Sequence, residues 1–351
     1  MWTFSNQTKL NLYIKRKSPK QTTKQTSNSK APHCIAFAMV LLVQKFDKFY
    51  SKLENFHHHK HSHQSQALSA SLEAFKSHVS NCLSKLSLSS KTGLEIPSFS
   101  WIQQCFELLP IINHAFAKLV VAIDYPVSKW EAASVDEYLK YSLNLLELCN
   151  SISSSLSHLG KARLSLAHAL TLVENSSPSL ALKHLKPIQP KGLNKELRFQ
   201  GNEEIGKPRC PNISKQAVID QALVVMQGMV FWVCGILMSG LVGEAKPYLE
   251  MRSSGGRFVD SWLPGLDLRA SEVIVERNGV LKEVKELDDA AAGLAAAIGT
   301  GKSSDEAAEE LKRRLEVFEK LVEGFGKEVD CLFNKVLAGR NQLLNGLGQQ
   351  K

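Results

Sequence analysis

The sequence predicts an all-α fold, an elongated multi-helix bundle with long antiparallel helices that pair as in coiled coils. Leu, Ala, Ser, Glu and Lys dominate the composition and only 7% of the residues are aromatic, which is typical of helical proteins. Apolar or small residues also recur every three or four positions, which places them on one side of a helix that other segments must cover. One long stripe of this kind contains Leu145, Cys149, Ile152, Leu156, Leu159, Ala162, Leu166, Leu170 and Val173.

The charge of the chain is concentrated at its N-terminus. The formal net charge is +9, but residues 1–46 contain eight basic and no acidic residues, so residues 47–351 carry 35 basic and 34 acidic residues. A nearly neutral body does not indicate a general phosphate-binding surface, and we therefore expect no nucleic-acid partner.

Seven cysteines lie far apart in the chain, and no two of them form a CxxC pair. Their number is odd and most occur among apolar helical residues, so we predict reduced, mostly buried thiols. Such thiols fit a reducing intracellular compartment better than secretion. The positions are Cys34, Cys82, Cys105, Cys149, Cys210, Cys234 and Cys331.

Residues 1–38 are predicted to be a disordered basic extension, because their polar composition cannot bury enough apolar surface to offset chain entropy. Two interpretations of this extension remain open. An acid-free, basic and hydroxyl-rich start is typical of an organelle transit peptide, whereas Met39 can instead be the natural start of the protein. A first amphipathic helix is predicted after Met39, where apolar residues become periodic.

Histidines are the most conspicuous candidate metal ligands. Five of them fall between His57 and His63, and neutral imidazole is a common ligand. A structural metal site needs ligands held at fixed geometry, and tracts of this kind are often merely compositional, so we predict a solvated polar linker and no bound metal. His114 is interpreted as a hydrogen-bonded packing residue rather than a base, because no nucleophile accompanies it.

The first helices of the body are predicted at Ala67–Leu88 and from Trp101 onward, each with apolar residues at helical spacing. Ser98 or Ser100 is expected to cap the second of these helices. Pro110 lies inside its apolar pattern, where it removes one backbone donor and predicts a kink.

A long third helix is predicted next. Ser134 and Glu137 have the spacing of a capping box, and the apolar pattern continues to about Val173. A helix of that length spans about 58 Å at 1.5 Å per residue and is usually part of a bundle or coiled coil. The serines at 151–155 lower the helix propensity and allow a kink or break there.

A flexible linker is predicted at 187–212, after a short helix from Pro178 to Leu185. Prolines and glycines lie among charges in this region, and apolar residues are few. The linker would separate an N-terminal helical half, 39–186, from a C-terminal half, 213–348, that packs on the first.

The segment from Ala222 to Gly243 contains 22 residues without a charged side chain. It is long enough to cross a hydrocarbon core of about 30 Å, and Gly228, Gly235, Ser239 and Gly240 would suit close helix contact in lipid. A central helix surrounded by other helices would be equally apolar on every side. Both interpretations remain open, and we favour the buried bundle helix because a single span of modest hydrophobicity is often a false positive.

The last third predicts an antiparallel helical hairpin with coiled-coil-like seams. Two apolar stripes alternate by four and three, and Ser303 with Glu306 has the spacing of a capping box between them. The first stripe contains Val280, Val284, Leu287, Ala291, Leu294 and Ile298, and the second contains Leu311, Leu315, Phe318, Val322, Phe325, Val329, Leu332 and Val336.

The turn of this hairpin, Gly301-Lys302-Ser303, resembles the end of a phosphate-binding loop. Ala296 stands where such a loop requires its first glycine, and an Ala-rich helix precedes the motif where a strand is needed. We therefore predict a turn between two helices and no nucleotide site.

Several long phrases of the chain together carry a family resemblance. They are Ser100–Ile102, Pro126–Trp130, Val135–Leu139, Leu145–Asn150 with the serines that follow, Gly279–Glu286 and Leu315–Leu321. These phrases resemble the plant BYPASS family, which is also described as containing a ROH-like helical domain. The resemblance covers Met39 to about Gly346, and the family supplies no established catalytic or cofactor-binding residues to carry over.

The resemblance implies a plant protein that influences root and shoot development by restraining a mobile growth-arresting signal related to carotenoid metabolism. Some relatives are linked to the exocyst, the vesicle-tethering complex. Members are assigned to membranes such as the endoplasmic reticulum or plasma membrane, or to the chloroplast, so the compartment stays open.

Three classes of function are compatible with the sequence. We favour a non-enzymatic regulator that binds partner proteins through its helices, because amphipathic helices accumulate here without a reactive cluster. The second class is a membrane-associated helical protein of trafficking, linked to the exocyst. The third is a carrier or enzyme of a small apolar metabolite, which would need an apolar cavity inside the bundle.

Overall fold

The structure, a computed structural model, describes residues 61–89, 97–189, 214–253, 263–276, 279–301 and 303–348. This part of the chain contains helices and turns and no strand, so the predicted all-α fold is confirmed. The predicted extension 1–38, the helix after Met39 and the predicted linker from residue 190 onward lie outside the described residues.

The helices are named here in chain order. They are α1 (His61–Ser89), α2 (Phe99–Ala122), α3 (Ala132–Glu174), α4 (Pro178–Ala181), α5 (Lys215–Val242), α6 (Pro264–Glu276), α7 (Lys282–Thr300) and α8 (Asp305–Gly348). A short 3₁₀ helix, Val127–Lys129, lies between α2 and α3, and residues 246–253 are also helical.

Several helix boundaries follow from local chemistry. The Ser98 side chain accepts a hydrogen bond from the backbone N–H of Trp101 at 3.2 Å, so Ser98 and not Ser100 caps α2. Pro110 lies inside α2 as predicted. α1 begins at His61, six residues before its predicted start, so the end of the histidine tract belongs to a helix and the rest of the tract lies outside the described residues.

Both predicted capping boxes are wrong. α3 begins at Ala132, and the hydroxyl of Ser134 donates to Asp220 on α5 at 2.5 Å instead of capping a backbone N–H. Ser303 lies two residues before Asp305, the first residue of α8, and is therefore one residue too early to cap the helix. Its hydroxyl donates to the carboxylate of Asp305 at 3.1 Å. In each case a nearby carboxylate is the stronger hydrogen-bond partner of the serine hydroxyl.

The two longest of the described helices, α3 with 43 residues and α8 with 44, pack against each other in antiparallel directions. Arg163 forms an ion pair of 2.9 Å with Glu319, and Arg340 near the end of α8 donates to the carbonyl oxygen of Leu139. α3 runs without a break through the serines at 151–155, because Ile152, Ser155 and Leu156 are buried and tertiary packing outweighs weak propensity.

The predicted antiparallel hairpin is confirmed by α7 and α8, which contact each other beyond a turn at Gly301. Gly301 has a φ of 66°, the left-handed conformation of a helix end, and it directly follows helix α7 rather than a strand. All predicted seam residues of α8 except Val322 are buried. The short helix predicted at 178–185 is found at Pro178–Ala181.

One apolar core joins these helices. α5 contacts α2 and α3, and α8 contacts α3 and α7. Helices on both sides of the predicted linker thus contribute to the same core, while the division into two halves stays a prediction.

Candidate functional site

The segment from Ala222 to Gly243 forms most of α5, and Gly243 ends that helix with a φ of 76°. Of the described helices, α2 and α5 are long and apolar enough to cross a membrane, judged by length and composition alone. Buried core helices pass the same test, and 94% of the most apolar window of α5 is buried among the other helices. This burial favours the central bundle helix among the two interpretations of the segment.

The small residues of α5 allow other segments to approach it closely. A Cβ atom placed on Gly235 would lie 3.1 Å from Cβ of Met251 and 3.2 Å from Cα of Tyr248. The hydroxyl of Ser239 accepts a hydrogen bond from the backbone N–H of Tyr248 at 2.9 Å. Two of the small residues that suggested helix contact in lipid, Gly235 and Ser239, therefore contact residues 246–253 of the same chain, and Gly240 faces Ile102 and Leu281.

A buried carboxylate, Asp267 on α6, lies beside this contact with only 2% of its surface exposed. Its Oδ1 accepts hydrogen bonds from Nε1 of Trp232 on α5, at 3.1 Å, and from the hydroxyl of Tyr248. Its Oδ2 forms an ion pair of 2.7 Å with Nε of Arg252. Each carboxylate oxygen is therefore satisfied, as a charge buried in an apolar core must be.

The chemistry of this Asp267 cluster is that of a structural contact. Burial, together with the hydrogen bond to Asp267 and its negative charge, raises the pKa of the Tyr248 phenol well above its ordinary value. The phenol therefore stays protonated and acts as a donor at neutral pH. Charge-assisted hydrogen bonds of this kind are roughly twice as strong as neutral ones.

A second polar cluster surrounds Gln216 at the N-terminal end of α5. Its Oε1 accepts from the Tyr125 hydroxyl at 3.1 Å and from the backbone N–H of Glu131 at 3.0 Å. Its Nε2 donates to Ser134 at 2.5 Å and to Asp220 at 2.9 Å. One amide thus joins the α2–α3 connection to the start of α5.

The family phrase from Pro126 to Trp130 lies in this α2–α3 connection. Nε1 of Trp130 donates to the carbonyl oxygen of Tyr125 at 2.9 Å, and its ring packs edge to face against Phe116 and Tyr138. The phrase therefore has a structural role, since it closes the corner between α2 and α3 over the aromatic core.

Gln227, the polar residue inside the apolar run of α5, is also paired. It is 8% exposed, and its Nε2 donates to Oε2 of Glu137 on α3 at 2.7 Å. Glu137, which the sequence suggested as part of a capping box, also accepts a hydrogen bond from Lys140 at 2.8 Å. A half-buried carboxylate thus satisfies the one strongly polar group in the middle of α5.

Histidine and cysteine side chains meet at most in pairs among the described residues, such as His168 with His184, whose ring centres are 4.7 Å apart, and Cys82 with His78. In the described part of the chain, no group of three or more His, Cys, Asp or Glu residues could hold a metal ion. The expectation that His114 is hydrogen-bonded is wrong for Nδ1, which is buried without a partner among these residues. Burial and the charges of Lys118 and His78 lower the pKa of His114.

The described cysteines are free thiols, and Cys105, Cys149 and Cys234 are buried. Burial raises the pKa of Cys149 to about 12 and that of the other two further, so these thiols stay protonated and pack as small apolar side chains. Cys331 is exposed, and Cys34 and Cys210 lie outside the described residues.

Sequence reasoning selected α5 but missed Tyr248, Arg252 and Asp267. Asp267 has the pattern of a solvent-exposed charge in an amphipathic helix, and its partners lie 15 to 35 residues away. One signal for its burial was available in the sequence, because Asp267 lies between Leu266 and Leu268 in the first turn of the helix that begins at Pro264.

Comparison with known proteins finds relatives in plants. The chain is 28% identical to "Protein BPS1, chloroplastic" of Arabidopsis thaliana over 304 residues, which cover 82% of this chain and 86% of that protein. It is 24% identical to "UPF0496 protein 4" of Oryza sativa subsp. japonica over 246 residues and 25% identical to that of subsp. indica over 252 residues.

These alignments confirm the predicted resemblance to plant BYPASS-related proteins as a distant homology. The two rice alignments cover 65% of this chain, which spans only 53% of the length of those proteins. No family model and no solved structure matches the chain.

Proposed function

We propose that this distant homologue of the plant BYPASS and UPF0496 proteins is a non-enzymatic regulator of root and shoot development that acts through contacts of its helices with other proteins. The observation that carries the proposal is the alignment to Protein BPS1, which extends over 86% of that relative. An alignment of this extent involves the helical body as a whole and not one motif.

The geometry of the described residues is compatible with this role. The Asp267 and Gln216 clusters join helices to one another, and their polar atoms are used within the clusters. The antiparallel pair of α3 and α8 packs along the length of both helices. A body of this kind presents helix surfaces to partners, which is how helical regulators commonly bind.

The finer part of the proposal concerns signal, partner and compartment. The family resemblance supports restraint of a mobile, carotenoid-related growth-arresting signal, and it supports an exocyst subunit as the protein partner. The chloroplast is the first compartment to test, because one relative is named chloroplastic and the N-terminal segment is basic and free of acidic residues. The proposal includes no metal, cofactor or nucleic acid.

Complementation of Arabidopsis plants that lack the BPS1 protein tests the developmental role. Expression of this chain should restore root and shoot growth, and the core variant Phe325→Asp should not, because a charge would replace a ring that is 0% exposed. Phe325→Leu is the matched control and should restore growth. Failure of the wild-type chain at normal protein level would contradict the proposal.

Proximity labelling in plant cells tests partner and compartment together. Fusions that start at Met1 and at Met39 should both label exocyst subunits if that partner is correct, and only the Met1 form should label plastid proteins if the extension is a transit peptide. Absence of exocyst subunits from both samples would refute the proposed partner without affecting the complementation result.

A membrane-associated trafficking protein is the second candidate, because α2 and α5 pass the length and composition test for membrane spans. Carbonate extraction separates the two candidates. A spanning helix keeps the chain in the membrane pellet, whereas burial of α5 within the protein releases the chain to the supernatant.

A further inference from the structure

The Asp267 cluster divides into one acceptor and a set of donors that belong to different parts of the structure. The carboxylate is on α6, whereas its donors are Trp232 on α5 and Tyr248 and Arg252 in residues 246–253. Ser271, one turn after Asp267 on α6, also hydrogen-bonds to Tyr248. Asp267 and Ser271 of α6 thus face the same group of donors.

The donors form one unit with α5. A Cβ atom placed on Gly235 of α5 would lie 3.2 Å from Cα of Tyr248. The hydroxyl of Ser239 accepts a hydrogen bond from the backbone N–H of Tyr248. Contacts of this closeness require two backbones that pack together with no side chain between them. Residues 246–253 and α5 therefore pack together as one unit.

The contact of α6 itself is narrow. Leu266, Ala270 and Ile274 face inward and are buried, whereas Leu268 and Val275 on the opposite side are 58% and 41% exposed. α5 is the principal helix against which α6 packs. Three apolar side chains and one carboxylate thus account for much of the attachment of α6.

We propose that α6 is a lid that opens away from α5 while the rest of the helical body stays folded. The Asp267 cluster holds the lid closed. Opening separates the carboxylate from Trp232, Tyr248 and Arg252 and uncovers apolar surface of α5, whose residues from Met229 to Val242 are all buried and are apolar except for Ser239. This inference rests on the packing of α6 and is independent of the proposed function.

Hydrogen exchange of the full chain with the substitution Asp267→Asn tests the lid. An amide keeps the shape of the side chain but loses the charge that strengthens its hydrogen bonds, so the amides of α6 should exchange about tenfold faster or more. The amides of α3 and α8 should keep their wild-type rates. Glu272→Gln, an exposed carboxylate on the same helix, is the matched control and should change nothing.

Two results of this experiment would overturn the inference. Wild-type exchange of α6 in Asp267→Asn would show that the cluster does not hold it closed. Equal acceleration of α3, α6 and α8 would show that α6 opens only when the whole body unfolds. Carbene labelling of Trp232 should rise together with the exchange of α6, and unchanged labelling would contradict the uncovering of α5.

The wild-type chain provides a second measurement if the variant does not fold. In low concentrations of urea, the amides of α6 should exchange through an opening that depends on urea less steeply than the opening of α3 and α8, since it exposes less surface. A single urea dependence shared by all three helices would overturn the lid.

Discussion

Two pairs of phenylalanine rings connect α2 with α8, and their mutual contribution to stability is measurable. Phe99 packs edge to face against Phe318 with ring centres 5.6 Å apart, and Phe106 packs in the same way against Phe325 at 5.3 Å. The pairs are seven residues apart on both helices, so α2 and α8 run in the same direction here. We predict that Phe106 and Phe325 are energetically coupled.

The expected magnitude comes from the geometry of the rings. Interplanar angles of 86° and 87° are those of T-shaped pairs, which contribute about 0.5–1.5 kcal/mol beyond the area they bury. Substitution of either ring by leucine keeps an apolar side chain and removes the ring interaction. The double variant Phe106→Leu with Phe325→Leu should therefore be more stable than the sum of the single variants predicts, by about that amount.

Urea unfolding followed by far-UV circular dichroism measures this coupling as a double-mutant cycle, with unchanged m values as the condition for comparison. A second cycle with Phe106→Leu and Phe318→Leu is the control, because Phe318 pairs with Phe99 instead. The control should be additive within about 0.5 kcal/mol. A coupling between Phe106 and Phe325 no larger than that of the control would refute the role assigned to the pair.

Three further predictions address backbone, pH and hydrogen bonding. Gly279 has a φ of 70°, and a Cβ atom there would lie 3.0 Å from a backbone oxygen, so Gly279→Ala should cost about 1–3 kcal/mol of stability. Gly293→Ala is the control, because a Cβ atom there meets nothing within 4 Å, and it should stabilise the protein by about 0.5–1 kcal/mol. Thermal unfolding distinguishes the two variants. Burial and the nearby charge of Glu107 raise the pKa of Glu328, so the folded state binds its proton more tightly and loses stability as pH rises through that raised pKa. Glu328→Gln should remove this loss, and its stability relative to wild type should increase between pH 4.5 and pH 7; an unchanged difference would contradict the assignment. Gln216→Ala should cost about 0.5–1.5 kcal/mol, because it removes hydrogen bonds to Tyr125, Glu131 and Ser134 at a partly buried site. It should also speed hydrogen exchange at the start of α3, and wild-type exchange there would speak against its linking role.

The helical fold was accessible from the sequence because apolar periodicity reports directly which side of a helix is covered. The stripe from Leu311 to Val336 predicts the seam of α8 well, since seven of its eight residues are buried. The same holds for α3, whose unbroken course past the serines follows from its apolar stripe rather than from local propensity.

The polar contacts were not accessible in this way, because they depend on which helices become neighbours. Ser134 and Glu137 have the spacing of a capping box, yet their side chains form hydrogen bonds with Asp220 and Gln227 of α5 instead. The position of Asp267 between two leucines suggests burial but does not reveal the three donors on other segments. Spacing along the chain identifies a hydrogen-bonding group, whereas its partner is chosen by tertiary packing.

The side-by-side course of α3 and α8 restricts how the length of this protein can vary. Arg163 with Glu319 and Arg340 with Leu139 match positions across the pair at separate points along both helices. One inserted residue would turn everything after it by about 100° around the helix axis and misplace every later match. Insertions in evolution or by alternative splicing should therefore be confined to the connections between helices, or should add whole heptads to both partners at once.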